Sequence, residues 1–109
     1  MKGKNNMIAR IWHGWTKPEN AKAYEDMLRD EIFPGIARRK IKGYRGAELF
    51  IHEGSGETEF VTLLRLDSME AVKESAGADE SKPVIYRKAE ALLTRMDERS
   101  RHYRIAISR

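Results

Sequence analysis

The sequence contains no cysteine among its 109 residues. This absence excludes disulfide bonds, catalysis by a thiol and metal sites built on thiolates. It agrees with a reducing compartment, and we expect a cytoplasmic protein. No apolar run approaches the roughly 20 residues that a membrane-spanning helix needs, and the polar residues 1–6 are not followed by the apolar segment of a secretory signal. We therefore expect no membrane partner and interpret residues 1–6 as a disordered lead-in.

Histidine is scarce as well, since His13, His52 and His102 are the only three. Each is predicted to lie on a different strand, without the two-residue or four-residue spacing of histidines that bind one metal. The sequence therefore predicts no metal site. Neighbouring residues of a strand point to opposite faces, so either His102 or Tyr103 must face inward. This pair is our first candidate for proton transfer.

The sequence also lacks a strong excess of charge of either sign. Basic residues exceed acidic ones by only 21 to 17, and acids are interleaved with bases except in Arg38-Arg39-Lys40 and in residues 101–109. A nucleic-acid-binding surface usually shows a basic stripe with stacking aromatics. We therefore expect a mixed solvated surface and no nucleic-acid partner. With 40% hydrophobic and 35% charged residues, the chain is typical of one soluble domain, which we place at residues 7–109.

The order of the predicted elements is βαββαβ, which indicates an α+β fold. The predicted strands are Met7–Trp15, Tyr44–Glu53, Glu57–Leu66 and Arg101–Ile107. The predicted helical segments run from Thr16 to Pro34-Gly35, from Ser68 to Ser75, and from Ser81 to Met96. Gly77 separates the last two segments.

Local signals set the ends of these helices. Thr16 is expected to cap the amide of Glu19, and Pro34-Gly35 is expected to end the first helix, because a residue before proline is pushed out of the α region. Ala21, Tyr24, Leu28 and Ile32 lie between them on one face, and Ile85, Ala89, Leu92 and Met96 share one face of the last helix. Asp67-Ser68 predicts the cap of the middle helix.

The hairpin in the middle of the chain is predicted to turn at Gly54-Ser55-Gly56. This turn places Leu49 opposite Val61 and Ala47 opposite Leu63 on one face. On the other face it places Phe50 opposite Phe60 and Gly46 opposite Leu64. Because one layer of helices covers only one face of a sheet, the second apolar face predicts a homodimer.

The sequence resembles the antibiotic biosynthesis monooxygenase-like group of the dimeric α/β barrel superfamily over about residues 7–107. The matching segments are Met7-Ile8-Ala9-Arg10-Ile11-Trp12-His13-Gly14, Phe33-Pro34-Gly35, Gly43-Tyr44-Arg45-Gly46-Ala47, Phe60-Val61-Thr62-Leu63, Asp67-Ser68-Met69-Glu70-Ala71 and His102-Tyr103. The resemblance implies a ferredoxin-like domain with a four-stranded antiparallel sheet, whose dimer forms a barrel. Members of the group include cofactor-independent monooxygenases, haem-degrading enzymes and isomerases.

The resemblance also gives a reason to disfavour haem degradation. Haem degraders of this fold use an Asn of the first strand, a Trp of the helix after the hairpin and a His of the next helical segment. Here the first strand has no Asn, Ser68–Ser75 has no Trp, and residues 79–96 contain no His. We expect no cofactor.

Seven residues are candidates for a site on a small aromatic molecule. Trp12 and Trp15 point to opposite faces of the first strand, so one of them is expected to pack on a substrate, unless both are core or interface residues. Arg45 and Arg65 are predicted to oppose each other across the hairpin, which indicates an anionic subsite or else ion pairs with nearby carboxylates. The candidates for catalysis are His102, Tyr86 and Arg10.

Two functions follow from this interpretation. The first is a cofactor-independent monooxygenase that acts on a small aromatic or quinone-like compound, with an electron-rich, deprotonated substrate reducing dioxygen. The alternative is a non-catalytic ligand-binding or stress-related dimeric barrel protein.

Overall fold

The fold is an antiparallel sheet with helices packed on one of its faces. The computed structural model describes residues 7–76 and 87–109, so the lead-in expected at residues 1–6 lies outside the described residues. The described strands are β1 (Ile8–Thr16), β2 (Tyr44–Glu53), β3 (Thr58–Leu66), β4 (Leu93–Met96) and β5 (Arg101–Arg104). The described helices are α1 (Ala21–Met27), α2 (Phe33–Arg38), α3 (Met69–Ala76) and α4 (Arg87–Glu90).

The strand order is β2-β3-β1-β4, with β5 also paired to β1, and every pairing is antiparallel. The central strand β1 is therefore hydrogen-bonded along both of its edges. This order confirms the predicted ferredoxin-like α+β architecture, and the sheet of a single chain does not close on itself.

The hairpin is confirmed, but its predicted register is wrong by one residue. Leu49 pairs with Thr62 and Phe50 pairs with Val61. The turn is one residue longer than predicted, because the amide of Gly54 donates to the carbonyl of Glu57 at 2.9 Å and the second strand begins only at Thr58. Both faces still carry apolar pairs, with Ala47 and Leu64 on one and Phe50 and Val61 on the other.

The prediction of a helix continuing to Met96 is wrong. Helix α4 ends at Glu90, and Leu93–Met96 forms β4, which pairs with Gly14–Thr16 of β1. Residues 81–86, where the predicted helix begins, and Gly77 lie outside the described residues. The predicted last strand is also shorter than expected and ends at Arg104. Leu93–Met96 forms a strand because its long-range pairing with β1 outweighs the local helical period. Together β4 and β5 cover one edge of β1 as a strand broken in two.

The start of the first helical segment differs from its prediction. Thr16 is the fully buried last residue of β1, and its hydroxyl has no hydrogen-bond partner among the described residues. Lys17 instead occupies the N-cap position of a short 3₁₀ turn, Pro18–Asn20, without a side-chain cap.

Pro34-Gly35 does not end the first helix either. A π-helical turn, Leu28–Ile32, precedes α2, which contains Pro34 in its first turn and continues to Arg38. Proline has no N–H to donate, and its ring clashes with the carbonyl four residues earlier. The wider π turn accommodates the missing hydrogen bond and the ring. The cap of α3 is confirmed, since the amide of Ala71 donates to Ser68 Oγ at 3.1 Å.

The core lies between the sheet and the helices. Tyr24, Leu28 and Ile32 form the predicted buried stripe and pack with Phe60 of β3 and Ala89 of α4. The rings of Tyr24 and Phe60 meet edge to face, with centroids 4.7 Å apart. A smaller cluster of Leu66, Ala71 and Val72 anchors α3 to the same face.

The opposite face of the sheet, which we call the open face, is not covered by any described element. Its apolar side chains include Ile11, Val61, Leu63, Phe50 and Tyr103, of which Phe50 and Tyr103 are about half exposed. Within the described ranges we find no helix with the length and apolar character needed to cross a bilayer.

Replacing Phe60 by Ala is expected to lower the free energy of unfolding by about 3–5 kcal/mol, because a fully buried ring is lost and a cavity remains. The matched control is Met69→Ala on the exposed side of α3, for which we expect a change within about 0.5 kcal/mol. Chemical denaturation followed by circular dichroism measures both. Equal effects of the two substitutions would contradict the core described above.

Candidate functional site

A cavity lies between the helices and the covered face of the sheet. Its volume is about 80 Å³, which gives room for several water molecules or a small ring. Its wall is mostly apolar and includes Trp12, Leu28, Ile32, Phe33, Leu64 and Leu93.

Trp12 forms the aromatic wall of this cavity on the sheet side. Its Nε1–H donates to the backbone carbonyl of Asp97 at 2.9 Å, which fixes the orientation of the indole. Gly14, two residues along the same face of β1, leaves the space that the ring needs. A Cβ at Gly14 would lie 3.0 Å from Leu93 Cδ2 and 3.2 Å from the Trp12 ring, so a larger residue would displace this wall.

The charged end of the cavity is formed by Arg10, which is 5% exposed. Its Nη1 lies 2.8 Å from Nε2 of His102, the residue directly across from it on β5. A guanidinium has no acceptor, so Arg10 donates and His102 Nε2 accepts, which places the imidazole proton on Nδ1 in this arrangement. The structure thus brings together Arg10, His102 and Trp12, three of the seven predicted site residues, on the covered face.

Arg39 and Thr62 also line the cavity and were missed from the sequence. Arg39 donates to the backbone carbonyls of Ser75 and Glu74 at 3.1 and 2.9 Å, so it holds the end of α3 beside the cavity. A signal for Arg39 was present, because it belongs to the Arg38-Arg39-Lys40 run that nearby acids do not balance. Thr62 offered no such signal within a strand rich in β-branched residues.

Trp15 lies on the open face, away from the cavity. Its ring is nearly parallel to that of His13, with centroids 6.0 Å apart, and Arg95 Cζ lies 3.8 Å from the Trp15 ring centroid. Arg95 also donates to both carboxylate oxygens of Glu57 and holds the pKa of that carboxyl below its usual range. This placement agrees with the alternative of an interface aromatic.

The predicted one-to-one opposition of Arg45 and Arg65 is altered, because Arg45 and Gly46 together lie across from Arg65. A bulge between Tyr44 and Ala47 shifts the pairing, and Gly46 takes a φ of +119° there, which favours glycine. Arg45 donates to Asp67 Oδ2 at 2.7 Å, and Arg65 pairs with Glu48. Both arginines thus form the ion pairs of the alternative interpretation, and the cavity lining does not include them.

Tyr86 and the other two histidines complete the set of predicted residues. Tyr86 lies outside the described residues. His52 is exposed on β2, and His13 is on the open face, where its Nδ1 lies 2.6 Å from Asp97 Oδ2. The parts of the chain that the structure describes contain no cluster of three His, Asp or Glu side chains that could hold a metal ion.

Solved structures of several proteins match this chain over most of its length. A Bacillus cereus protein described as a candidate antibiotic biosynthesis monooxygenase is 19% identical, with 95% of this chain and 97% of that one covered at a TM-score of 0.68. A Nitrosomonas europaea protein described in the same way is 11% identical, with 94% and 93% covered at a TM-score of 0.63. The Mycobacterium tuberculosis protein Rv0793 is 24% identical, with 89% and 92% covered at a TM-score of 0.58.

The chain has the fold of these proteins. This confirms the resemblance to antibiotic biosynthesis monooxygenases at the level of architecture. Neither protein-family models nor curated proteins give a match.

The buried phenol of Tyr24 gives the cavity wall a measurable pH dependence. Burial raises the pKa of Tyr24 from 10.0 to about 12, so its contribution to stability is complete below pH 10 and is lost as the pH rises to about 12. A shift of this size corresponds to roughly 2–3 kcal/mol. Replacing Tyr24 by Phe should therefore flatten the alkaline decline of the unfolding free energy.

Urea denaturation at a series of alkaline pH values measures this slope. Tyr103→Phe is the matched control, because Tyr103 is about half exposed on β5. Parallel declines in the wild type and in the Tyr24 variant would show that the phenol is not buried as described.

Proposed function

We propose that this protein is a cytoplasmic, homodimeric, cofactor-independent monooxygenase that acts on a small aromatic or quinone-like compound in the cavity. The observation that carries the proposal is the combination of an apolar cavity with a buried arginine at its sheet end. A binding pocket typically joins an apolar lining to a few polar groups that fix orientation. The fold shared with candidate monooxygenases agrees with this reading but does not identify a substrate.

Each group at the cavity has a role in this proposal. Trp12 packs against the substrate ring, and its fixed indole sets the plane in which that ring lies. Arg10 faces the substrate oxygen and stabilises its ionised form, because a charge in an apolar surrounding is strongly favoured by a fixed counter-charge. Nε2 of His102 accepts a hydrogen bond from Arg10, and the imidazole carries its proton on Nδ1.

The reaction balances without an external reductant when the substrate supplies the electrons. For a hydroquinone, one atom of O₂ enters the ring and the other leaves as water, and the hydroquinone is oxidised to a hydroxyquinone. Simple autoxidation differs, because it gives the unsubstituted quinone and hydrogen peroxide. Ionisation of the substrate oxygen favours the first electron transfer to O₂, and this is the step that Arg10 assists.

Methylhydroquinone under ¹⁸O₂ tests the proposal, with mass spectrometry of the quinone and an assay for peroxide. We expect one ¹⁸O atom in the quinone formed by the wild type, and a rate about 100-fold lower in Arg10→Gln, the typical cost of removing a group that stabilises an oxyanion. His52→Gln is the matched control, since that histidine is exposed on β2 away from the cavity. Unlabelled quinone with peroxide, at equal rates in all three proteins, would rule out monooxygenation.

The open face carries the homodimer part of the proposal. Ile11, Val61, Leu63 and Phe50 form an apolar strip there, and the described helices all lie on the other side of the sheet. Monomeric proteins rarely leave such a contiguous apolar surface exposed. A second copy that covers it with the same strip gives the self-complementary contact of a two-fold dimer.

Replacing Phe50 by Glu should weaken the dimer by at least about 30-fold, because an aromatic anchor in an interface contributes more than about 2 kcal/mol. Sedimentation equilibrium measures the association, and circular dichroism checks that the variant is folded. Met69→Glu, on exposed α3, is the matched control. A wild type that sediments as a monomer at micromolar concentration would contradict this part of the proposal.

A further inference from the structure

The break in the last strand lies beside the cavity. β5 pairs with Ile8–Ile11 and β4 pairs with Gly14–Thr16. Between them, the four residues 97–100 face only two residues of β1, Trp12 and His13. Breaks of this kind are frequent next to active sites, where they redirect a side chain. Here Ser100 of the break also lines the cavity.

Asp97 continues the pairing with β1 beyond β4, in part through its side chain. Its amide donates to the carbonyl of His13 at 2.9 Å, as in a regular ladder. In a regular ladder the amide of His13 would donate to a backbone carbonyl. Here it donates to the side-chain carboxylate, at 3.0 Å from Asp97 Oδ2. The same oxygen lies 2.6 Å from His13 Nδ1, which donates to it. Three contacts with one residue therefore fix the place of Asp97.

Asp97 also reaches the other face of the sheet. Its backbone carbonyl accepts the Nε1–H of Trp12 at 2.9 Å. Trp12 belongs to the cavity wall on the covered face, whereas His13, its neighbour in β1, belongs to the open face. Asp97 is thus hydrogen-bonded to a group on each face.

We propose that Asp97 is a positioning residue that holds the Trp12 indole in the cavity wall, and that His13 holds Asp97 from the open face. The proposal rests on the proposed function in one respect, that the cavity is where a ring binds. It has a consequence for the dimer as well. His13 on the open face and Trp12 in the cavity wall are both hydrogen-bonded to Asp97. A second copy that contacts His13 therefore acts on the cavity through Asp97.

The test uses Trp15→Phe as the common background, because it leaves Trp12 as the only tryptophan. Into this background we introduce Asp97→Ala, Asp97→Asn and His13→Ala separately. His52→Ala is the matched control, since His52 is an exposed strand histidine. Two quantities are measured in each protein, the quenching of Trp12 fluorescence by iodide and the dissociation constant of methylhydroquinone.

We expect Asp97→Ala to increase iodide quenching and to weaken methylhydroquinone binding by about 2- to 30-fold, the range typical of residues that act on a site through another group. Asp97→Asn should recover part of both, because its amide oxygen can accept the two His13 bonds but lacks the negative charge that strengthens them. His13→Ala should have an intermediate effect, because it removes the ring contact and leaves the backbone bonds in place. His52→Ala should leave both quantities unchanged.

The outcomes separate this inference from the proposed function. If Asp97→Ala and His13→Ala match the His52 control in quenching while methylhydroquinone still binds, the positioning role is wrong and the cavity assignment stands. If quenching changes as expected but no variant or parent binds methylhydroquinone, the positioning role stands and the proposed ligand class is wrong. Should Asp97→Ala fail to fold, Asp97→Asn and His13→Ala decide the matter with the same measurements.

Discussion

The two-residue alternation of side chains along β1 determines which groups can reach the cavity. β1 is paired on both edges, so its backbone has no freedom to rotate one side chain independently of the next. Arg10, Trp12 and Gly14 are therefore committed to the covered face together, and Ile11, His13 and Trp15 to the open face. A shift of one residue in this pairing would exchange the two sets and remove both the charge and the aromatic wall from the cavity.

Burial of Arg10 is the costly element of this arrangement. A buried guanidinium must be paired or hydrogen-bonded, because it loses its hydration without being able to lose its charge. His102 meets part of this need through a neutral imidazole nitrogen, which accepts a hydrogen bond and adds no negative charge. A carboxylate at position 102 would neutralise Arg10. An imidazole satisfies the hydrogen bond without cancelling that charge.

Much of the fold follows from the sequence, because the order of elements and the two apolar faces of the hairpin are local properties. The errors came from details of local backbone geometry and from pairing between distant residues. The four-residue turn at Gly54–Glu57 shifts the register by one, a π turn lets the helix pass Pro34, and pairing with β1 makes a strand of Leu93–Met96. In the site, alternation separated Trp12 from Trp15, whereas the contact of Arg10 with His102 depended on the strand order and was not predicted from sequence.

Charges on the open face have a different arrangement from the buried charge of Arg10 at the cavity. Arg65 pairs with Glu48 towards one end of the face, and Arg95 pairs with Glu57 and covers Trp15 towards the other. Exposed pairs of this kind contribute little to the stability of a monomer. The strip between them, with Ile11, Val61 and Phe50, is itself apolar, and Arg101 lies across from Ile11 at its β5 edge. An apolar centre with charged pairs at its ends is the pattern of an interface, in which the pairs set the orientation of the partner and the centre supplies the burial.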